Sequence, residues 1–301
     1  MPDKPAAEVQ VHEQLVRALI SSQATAIPEA ATLPLAHAAD GWDCSVWRLG
    51  DDFAVRLPRR ALSAPLVLHE QAVLPSIAAR LAPSGVGVPA PIVSGRPELG
   101  YPWPWSVVPW FDGTAGLGIP RADRAGWAAP LAEALLALHV PAPPDHPVNS
   151  VRGVPLARRA DAVAGRMESL RGRVSDVVLE RAGGLWAAGL HAPPWSGGPR
   201  WIHGDLHPGN LIARGSHLVA IIDFGDVTGG DPAYDLAVAW LAFDQAGRSS
   251  FRAAAGDGYD EATWTRAHAW AAAFTLLLLD RTDDDPEYAT LAADALQELS
   301  G

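Results

Sequence analysis

Short apolar runs in the N-terminal third of the chain alternate with polar positions, a pattern that is typical of β-strands. The runs "SVWRL" and "FAVRL" flank a Gly-Asp-Asp turn at 50–52 and predict a β-hairpin. One stripe of apolar positions has helical spacing instead, and it consists of Leu66, Val73, Ile77 and Leu81. This stripe predicts a helix from about Pro65 to Leu81, with a kink or a restart at Pro75.

After residue 120 the spacing of the apolar positions becomes mostly helical. Asp123 is placed to cap the N-terminus of one helix, and Asp231 followed by Pro232 predicts the start of another. Two further long helices are predicted near 260–280 and 286–299. The strands "LIAR" and "LVAIID", joined by a turn at 215–216, are the only interruption expected in this half.

These patterns predict an α+β fold with two lobes. The N-terminal lobe is β-rich with one main helix and covers residues 1–112, including a connector at 108–112. The C-terminal lobe, 113–301, is mostly helical. Ligands prefer the cleft between two such lobes.

The composition supports a globular protein with a sizeable core, since 49% of the 301 residues are hydrophobic and 19% are charged. The net charge of −11 disfavours nucleic acid as a partner and mildly favours a small cation, although solubility is the simpler reason for it. A single cysteine, Cys44, excludes an internal disulfide and a zinc site built from cysteines. Neither a membrane-spanning run nor a secretory signal is evident, so we expect a cytoplasmic monomer.

Polar residues concentrate around the two strands of the helical half, in "HGDLHPGN" at 203–210 and "IIDFGD" at 221–226. This arrangement suits phosphoryl transfer, in which Asp205 accepts or orients the proton of an attacking hydroxyl. Asn210 and Asp223 provide the hard oxygen ligands that magnesium prefers. His203 is expected to support the loop, so the catalytic candidates are Asp205, His203 and Asn210, and the metal candidates are Asn210 and Asp223.

Together with "GDPAYDLA" at 230–237, these blocks resemble the aminoglycoside phosphotransferase family of small-molecule kinases. The resemblance is dense over 200–240 and thinner over 40–112, and it extends to the macrolide kinases of the same group. It implies a protein-kinase-like fold, Mg²⁺, ATP or GTP as phosphoryl donor, and a role in antibiotic resistance. It also implies that Asp235 holds the catalytic loop in shape, whereas an ordinary acidic residue at a helix start is an equally good explanation.

Two alternatives compete with the kinase interpretation. The stretch 203–226 is compatible with a polar turn followed by a hairpin that carries no chemistry. His203 and His207 are also compatible with half of a metallophosphoesterase site, but the further ligands of such a site are not found in the sequence.

A kinase needs a cation at the nucleotide phosphates, normally a lysine that is paired with a helical glutamate. The only lysine, Lys4, lies outside any predicted strand, and Arg56 in "FAVRLP" occupies the fitting position. Glu70 lies within the apolar stripe of the following helix, where a carboxylate needs a partner, and we expect that partner to be Arg56. Its planar guanidinium replaces the usual point charge.

The remaining nucleotide contacts are expected from two segments. Backbone N–H groups of the loop at 41–45 would cradle phosphates while Trp42 closes over them, and the backbone at Val108–Trp110 would face a purine edge. Trp110 either stacks on the base or fills the core between the lobes, the second role being favoured. The nucleotide-binding candidates are Gly41, Trp42, Ser45, Arg56, Glu70, Val108, Trp110 and Asp223.

The acceptor is expected to bind against the helical lobe beside Asp205. Acidic candidates for a polyamine antibiotic are Asp226, Asp231, Asp257, Glu261, Asp280 and the run at 283–285. We therefore expect a kinase that phosphorylates a hydroxyl of an aminoglycoside-type antibiotic. A macrolide or small-metabolite kinase, or a binding protein without catalysis, remains an alternative.

Overall fold

A computed structural model of the protein describes residues 5–281 and 286–300. Lys4 and the acidic run at 283–285 lie outside the described residues. The fold is mixed, with a β-sheet N-terminal lobe followed by a helical part, as predicted.

The N-terminal lobe is built on a five-stranded antiparallel sheet with the strand order β1-β2-β3-β5-β4. Its strands are β1 (Leu35–Asp40), β2 (Cys44–Leu49), β3 (Phe53–Pro58), β4 (Val93–Gly95) and β5 (Trp105–Pro109). The predicted hairpin is confirmed, because Leu49 pairs with Phe53 across the turn at 50–52. Alternation along β3 buries Val55 and Leu57 in the core of this lobe and directs Arg56 to the other face.

A helix that the sequence analysis missed, α1 (Glu13–Gln23), covers the core of the sheet. Its buried residues Val16, Leu19 and Ile20 belong to the same apolar cluster as the sheet residue Trp105. His12 caps its N-terminus by accepting a hydrogen bond from the backbone N–H of Leu15, at 3.2 Å. The N-terminal lobe therefore has a second helix beside the one that was predicted.

The predicted helix is α2 (Ala64–Leu81), and it runs through Pro75 as a single element. Of the two outcomes expected at Pro75, the restart is therefore wrong, and the kink stays a prediction. Proline removes one backbone donor, but the apolar face before and after it, which includes Leu74 and Ile77, is fully buried. These residues belong to the large core of the helical part, so α2 ties the two lobes together.

The helical part contains α3 (Ala128–Leu138), α4 (Ala160–Ser169), α5 (Asp176–His191), α6 (Ala233–Leu236), α7 (Val238–Ala242), α8 (Gln245–Ala255), α9 (Glu261–Arg281) and α10 (Pro286–Ser300). The two long C-terminal helices are confirmed. Asp123 is not an N-cap, because it lies inside a 3-10 turn at Arg121–Trp127 that leads directly into α3. The start signal at Asp231 is confirmed, since its Oδ1 accepts a hydrogen bond from the N–H of Ala233 at 3.0 Å.

Small sheets position the loops between the lobes. Strands β6 (Thr114–Ala115), β8 (Leu211–Arg214) and β9 (His217–Ile221) form one sheet, and β7 (Arg200–Ile202) pairs with β10 (Thr228–Gly230) in another. The predicted hairpin of β8 and β9 is confirmed, whereas β6, β7 and β10 were not predicted. The predicted boundary at 112–113 falls in the connection between β5 and β6. None of the described helices is long and apolar enough to span a membrane.

Candidate active site

The loop after β7 carries the polar residues of the first motif and is held from below by Asp235. Both oxygens of this buried carboxylate accept backbone N–H groups, from His203 at 2.6 Å and from Gly204 at 3.0 Å. His139 adds a contact to Oδ2 at 3.2 Å, and the Nδ1 atom of His139 is in turn 2.7 Å from the hydroxyl of Tyr259. Of the two explanations left open for Asp235, the geometry therefore supports the one in which it holds the loop.

Charge on Asp235 is stabilised despite its burial. Burial by itself raises the pKa of this carboxyl, but the bonds from His139 and from the backbone of Gly204 outweigh it and hold the pKa below its usual value. The ionised side chain is an acceptor for all three donors. The loop position therefore depends on a buried negative charge.

His203 supports the same loop from inside. It is fully buried, its Nε2 lies 2.9 Å from the carbonyl oxygen of Ile222, and its Nδ1 accepts the N–H of Asp205 at 3.1 Å. Both ring nitrogens are thus occupied, with the proton on Nε2. His203 was expected among the catalytic residues, but its side chain does not line the cleft, and it positions Asp205 instead.

Gly204 is required by the backbone at this point. Its φ of 86° is left-handed, and a Cβ atom there would clash with the carbonyl oxygen of Asp226. Glycine alone adopts such a conformation without strain and also permits the close approach. The residue type therefore follows from the packing of the loop against the segment after Asp223.

The hairpin of β8 and β9 brings Asn210 and Asp223 to the same end. The N–H of Ile222 donates to the carbonyl oxygen of Asn210 at 2.9 Å, next to the pair Leu211 and Ile221. Asp223 follows directly and has a φ of 64°, an unusual backbone conformation for a non-glycine residue. Such strained positions cluster at functional sites. Side chains of Asp205, Asn210 and Asp223 line one cavity.

An arginine that the sequence analysis missed lies on the carboxylate of Asp205. Arg152 Nη2 is 2.9 Å from Asp205 Oδ1 and 3.0 Å from Asp226 Oδ2, and its Nη1 donates to the hydroxyl of Tyr234 at 3.1 Å. Asn149 also donates to Asp226, at 2.8 Å. Arg152 comes from the irregular segment between α3 and α4, where no apolar periodicity or motif marks it.

His207 lies on the other side of Asp205. Its Nδ1 accepts the N–H of Gly209 at 3.0 Å, and its Nε2 is 3.9 Å from Asp205 Oδ2. Burial lowers the pKa of His207, so the ring is neutral at neutral pH with its proton on Nε2. His207 shapes the loop and faces the carboxylate without forming a close ion pair.

The expected ion pair between Arg56 and Glu70 is present in the N-terminal lobe, where the nucleotide is expected to bind. Arg56 Nη1 lies 2.7 Å from both oxygens of Glu70, which is 2% exposed, and Arg56 Nη2 is 3.5 Å from Asp223 Oδ1. Burial disfavours the charge on Arg56, but the carboxylates of Glu70 and Asp223 outweigh it and raise its pKa above the usual range. The guanidinium is a permanent cation that links the N-terminal lobe to Asp223.

The loop between β1 and β2 only partly matches its predicted role. Trp42 lines the cavity, as expected for a side chain that closes over a ligand. The N–H of Gly41 is already used by the carbonyl oxygen of Cys44, at 2.8 Å. Ser45 is 2% exposed, and its hydroxyl accepts a hydrogen bond from Trp47 Nε1. The prediction that Gly41 and Ser45 contact phosphates is therefore not supported by their positions.

In the connector, only part of the backbone expected to face a purine, Val108–Trp110, is free of the neighbouring strand. The N–H of Trp110 donates to the carbonyl oxygen of Asp52 at 2.7 Å, and Val108 pairs with Ala54 on the same side. Because the hydrogen-bonding side alternates along an antiparallel strand, Pro109, rather than Val108 or Trp110, directs its carbonyl oxygen away from β3.

Trp110 is half-buried and fills no core between the lobes. Its indole nitrogen donates to Asp112 at 2.9 Å, and the guanidinium of Arg48 lies over its ring at 5.0 Å. The favoured core role of Trp110 is therefore wrong.

The cavity beside Asp205 has a volume of about 490 Å³. Its wall toward the C-terminal helices is mostly apolar and is formed by Leu241, Phe274, Leu277, Leu278, Tyr288 and Leu291. Arg152 and Arg281 are its cationic lining residues. An apolar wall with two guanidiniums is not the surface that was expected for a polyamine.

The acidic candidates for the acceptor are mostly engaged elsewhere. Asp226 lines the cavity but is bonded to Asn149 and Arg152, and Asp231 is buried 2.6 Å from Arg266 Nε. Asp257, Glu261 and Asp280 do not line the cavity. Glu261 pairs with Arg252 at 2.7 Å, Asp280 accepts Ser169 Oγ at 2.8 Å, and Asp257 is exposed in a 3-10 turn.

Asn210 and Asp223 are suited to a magnesium ion. The Asn210 amide nitrogen donates to the carbonyl oxygen of Asp205 at 2.8 Å, which leaves its side-chain oxygen as a ligand. The Asp223 side chain is 53% exposed, toward the cavity that it lines. Within residues 5–281 and 286–300, no group of three His, Cys, Asp or Glu side chains is arranged to hold a metal. Magnesium is typically held by one or two protein oxygens together with water and phosphate oxygens, which fits the side chains of Asn210 and Asp223.

The sheet lobe, the helical part and the loop between them form a kinase-like fold. The chain matches the phosphotransferase enzyme family (APH) over residues 35–270, and it belongs to this family. No curated protein matches the chain by sequence.

Solved structures with the same fold include kinases of two antibiotic classes. The GDP complex of aminoglycoside 2'-phosphotransferase-IIIa is 16% identical, with a TM-score of 0.66 over 96% of this chain and 99% of that one. The apoenzyme of a macrolide 2'-phosphotransferase from Brachybacterium faecium is 19% identical, with a TM-score of 0.59 over 94% and 97%. A streptomycin–ATP complex of APH(2″)-IIa is 15% identical, with a TM-score of 0.55 over 96% and 97%. At these identities the likeness shows the fold.

Proposed function

We propose that this protein transfers the γ-phosphoryl group of ATP or GTP to a hydroxyl of a small molecule, with Mg²⁺ as cofactor. The observation that carries the proposal is the shared cavity of Asp205, Asn210 and Asp223. Family membership supports the same reaction class, and the GDP and ATP in the names of the solved neighbours support a nucleotide donor.

Asp205 is proposed as the group that takes the proton of the attacking hydroxyl. Arg152 occupies Oδ1 of this carboxylate at 2.9 Å, so Oδ2 is left for the proton. The acceptor oxygen forms a bond to the γ-phosphorus while the bond between that phosphorus and the β,γ-bridging oxygen breaks. ADP or GDP leaves with the electron pair of the broken bond. Positioning of the two reactants supplies a large part of the rate enhancement in such sites.

The metal and the phosphates are proposed to bind between Asp223 and the sheet lobe. Asn210 and Asp223 would hold Mg²⁺, which neutralises phosphate charge when it is bound. Arg56 is fixed by Glu70 and lies beside Asp223, where its second nitrogen is available to phosphate oxygens. A guanidinium contacts phosphate through a planar pair of donors, whereas a lysine acts as a point charge.

The acceptor is proposed to be a hydroxylated molecule with a substantial apolar surface. The names of the neighbours include aminoglycoside and macrolide kinases, so either class is compatible with the fold. The apolar wall and the pairing of Asp226 with Arg152 support an apolar acceptor over the aminoglycoside that was first expected.

Release of ADP or GDP against a panel of hydroxylated compounds tests the proposal. We expect Asp205→Ala to lower turnover by about 10²–10⁴-fold, as is typical of a positioned acid–base group. Asp257→Asn, on an exposed turn outside the cavity, is the control and should retain wild-type turnover. Turnover near wild type in Asp205→Ala would refute the role of Asp205. Nucleotide binding without a phosphorylated product would favour a binding protein.

A further inference from the structure

A second cavity of about 380 Å³ lies between α4 and α9, next to the one that contains Asp205. The two cavities share four lining residues, Arg152, Asp226, Phe274 and Leu277, so they adjoin each other. We refer to the second one as the side cavity. An acceptor whose hydroxyl reaches Asp205 therefore lies next to the side cavity.

One wall of the side cavity is a cationic face of α4 and the turn before it. Arg159, Val163 and Arg166 all line the cavity, and their spacing of four and three residues places them on one side of the helix. Arg152 adds a third guanidinium at the junction with the first cavity. The positive charge is thus grouped on one wall.

The opposite wall comes from one face of α9 and is apolar and aromatic. It consists of Trp270, Ala273, Phe274 and Leu277, and Tyr234 also lines the cavity. Such a surface packs against hydrocarbon or ring atoms of a ligand and excludes water from the ion pairs beside it. A group that fills the cavity would contact apolar atoms on one side and guanidiniums on the other.

Arg159, just before α4, and Arg166, on α4, have no protein partner within the part of the chain that the structure describes. Among residues 5–281 and 286–298, neither Arg159 nor Arg166 forms a hydrogen bond or an ion pair. The nearby carboxylate of Asp280 is taken by Ser169 Oγ at 2.8 Å, and it lies 3.5 Å from both Arg173 and Arg281. Partly buried arginines normally have such partners.

The guanidiniums of Arg159 and Arg166 also repel each other. Burial and then the positive charge of Arg159 lower the pKa of Arg166, and the attraction of Asp280 does not offset them. An anion between the two guanidiniums would relieve both effects. Among the described residues, Asp226 is the only acid that lines the side cavity, and it is bonded to Asn149 and Arg152.

We propose that the side cavity binds an oxyanion of the acceptor, a carboxylate, sulfate or phosphate group that is attached to an apolar body. Arg159 and Arg166 bind this group, the α9 face binds the apolar body, and the hydroxyl lies at Asp205. The inference rests on the proposed function, because it defines the acceptor of that reaction. It also predicts binding of anionic ligands without turnover, so the two are tested separately.

Binding is measured by fluorescence titration with two dyes of similar shape, anionic anilinonaphthalene sulfonate and neutral phenylnaphthylamine. We expect the double variant Arg159→Met/Arg166→Met to bind the anionic dye about tenfold more weakly, as the loss of charge-assisted hydrogen bonds implies. Its affinity for the neutral dye should stay within about twofold, because the apolar wall is intact. The control Arg158→Met alters an exposed neighbour outside the cavity and should change neither dye.

The proposal would be overturned if the folded double variant lost affinity for both dyes equally, or if its affinity for both stayed at the wild-type value. If that variant does not fold, the wild-type protein decides the matter in a salt titration. Selective weakening of the anionic dye by salt supports the site, and identical salt dependence of the two dyes overturns it.

A second arm uses acceptors and separates the inference from the proposed function. Turnover is compared for a medium-chain ω-hydroxy acid, its sulfate and phosphate analogues, its methyl ester and the corresponding amino alcohol. A higher kcat/KM for one of the anions than for the ester, lost in the double variant, supports the side-cavity site and identifies the oxyanion. Preference for the ester or the amine overturns the site while the kinase function stands. Selective anionic dye binding with no turnover of any acceptor counts against the kinase function alone.

Discussion

Substitution of Asp235 by asparagine tests whether the catalytic loop depends on a buried charge. The carboxylate accepts N–H groups of His203 and Gly204 at 2.6 and 3.0 Å and lies 3.2 Å from His139 Nε2. In Asp235→Asn one oxygen becomes an NH₂ group, which cannot accept a hydrogen bond. At least one buried donor therefore loses its partner.

The magnitude follows from these contacts. A buried donor without a partner costs about 1–3 kcal/mol, and loss of a bond to a charged group adds about 1.5–3 kcal/mol. We expect the free energy of unfolding to fall by about 3–5 kcal/mol, similar to the breaking of a buried ion pair. With a urea m-value near 3 kcal/mol/M, the midpoint shifts down by about 1–2 M. Turnover should also fall, by about 10²-fold, because Asp205 loses its position.

The pH dependence gives a second and independent check. The pKa of Asp235 is held below its usual value, so its contribution to stability is complete above the unfolded-state pKa of about 3.9. The contribution is lost as the pH falls through the lower pKa of the folded state. The difference between the wild-type protein and Asp235→Asn should therefore be full at pH 7 and shrink below about pH 4.

Urea unfolding, followed by tryptophan fluorescence at several pH values, measures both effects. Asp257→Asn, on the exposed turn, is the matched control, and its unfolding free energy should stay within about 0.5 kcal/mol of wild type. Equal stability of Asp235→Asn and wild type at pH 7 would refute the reasoning. A large difference that persists unchanged under strongly acidic conditions would show that packing, rather than charge, is responsible.

Three further outcomes are expected. Gly204→Ala should destabilise the protein by more than Gly172→Ala, because Gly172 has a similar φ of 74° but open space around it. Equal thermal midpoints of the two variants would show that the close approach of Gly204 to the backbone costs nothing. Arg56→Met should lower the free energy of unfolding by about 3–5 kcal/mol, because Glu70 is left buried without a partner, and Glu70→Met in the same chain should restore much of it. Additive effects in this double-mutant cycle would contradict a coupled pair. Chelation of divalent cations should abolish nucleotide turnover, and Asp223→Ala should need more Mg²⁺ to recover it; an unchanged metal titration would exclude Asp223 as a ligand.

Residues that lie on regular elements were predictable because the periodicity fixes their direction. Alternation along β3 directs Arg56 away from the apolar core, and the helical stripe of α2 places Glu70 on the buried face. Their pairing then follows from the cost of burying a charge alone. The hairpin after Asn210 similarly accounts for the approach of Asp223, since paired strands return the chain to the same end.

Predictions that relied on one local signal were less reliable. Asp123 has the side chain of an N-cap, but it lies inside the 3-10 segment Arg121–Trp127, which leads directly into α3. At Val108 and Trp110, composition indicated a connector but did not show which backbone groups the neighbouring strand uses. Hydrogen-bonding sides alternate along a strand, so a shift of one residue reverses which groups are free.

Arg152 illustrates a different limit. It lies in a segment without helical or strand periodicity, and its partners Asp205 and Asp226 are far away in the sequence. Pairing between distant charges depends on the tertiary path of loops, which local patterns do not determine. The same limit applies to Arg159 and Arg166, because their spacing predicts a shared helix face but not the cavity that it faces.

The net charge of the chain and the charge of its acceptor site have opposite signs, and they act over different distances. A charge of −11 repels an anionic acceptor at long range, but salt screens this repulsion beyond about 10 Å at 0.1 M. Contact with Arg159 and Arg166 acts within a partly enclosed cavity, where screening is weaker. Net charge therefore affects the rate of encounter with the acceptor, while local arginines select its chemistry, and added salt should speed association of an anion even as it weakens the complex.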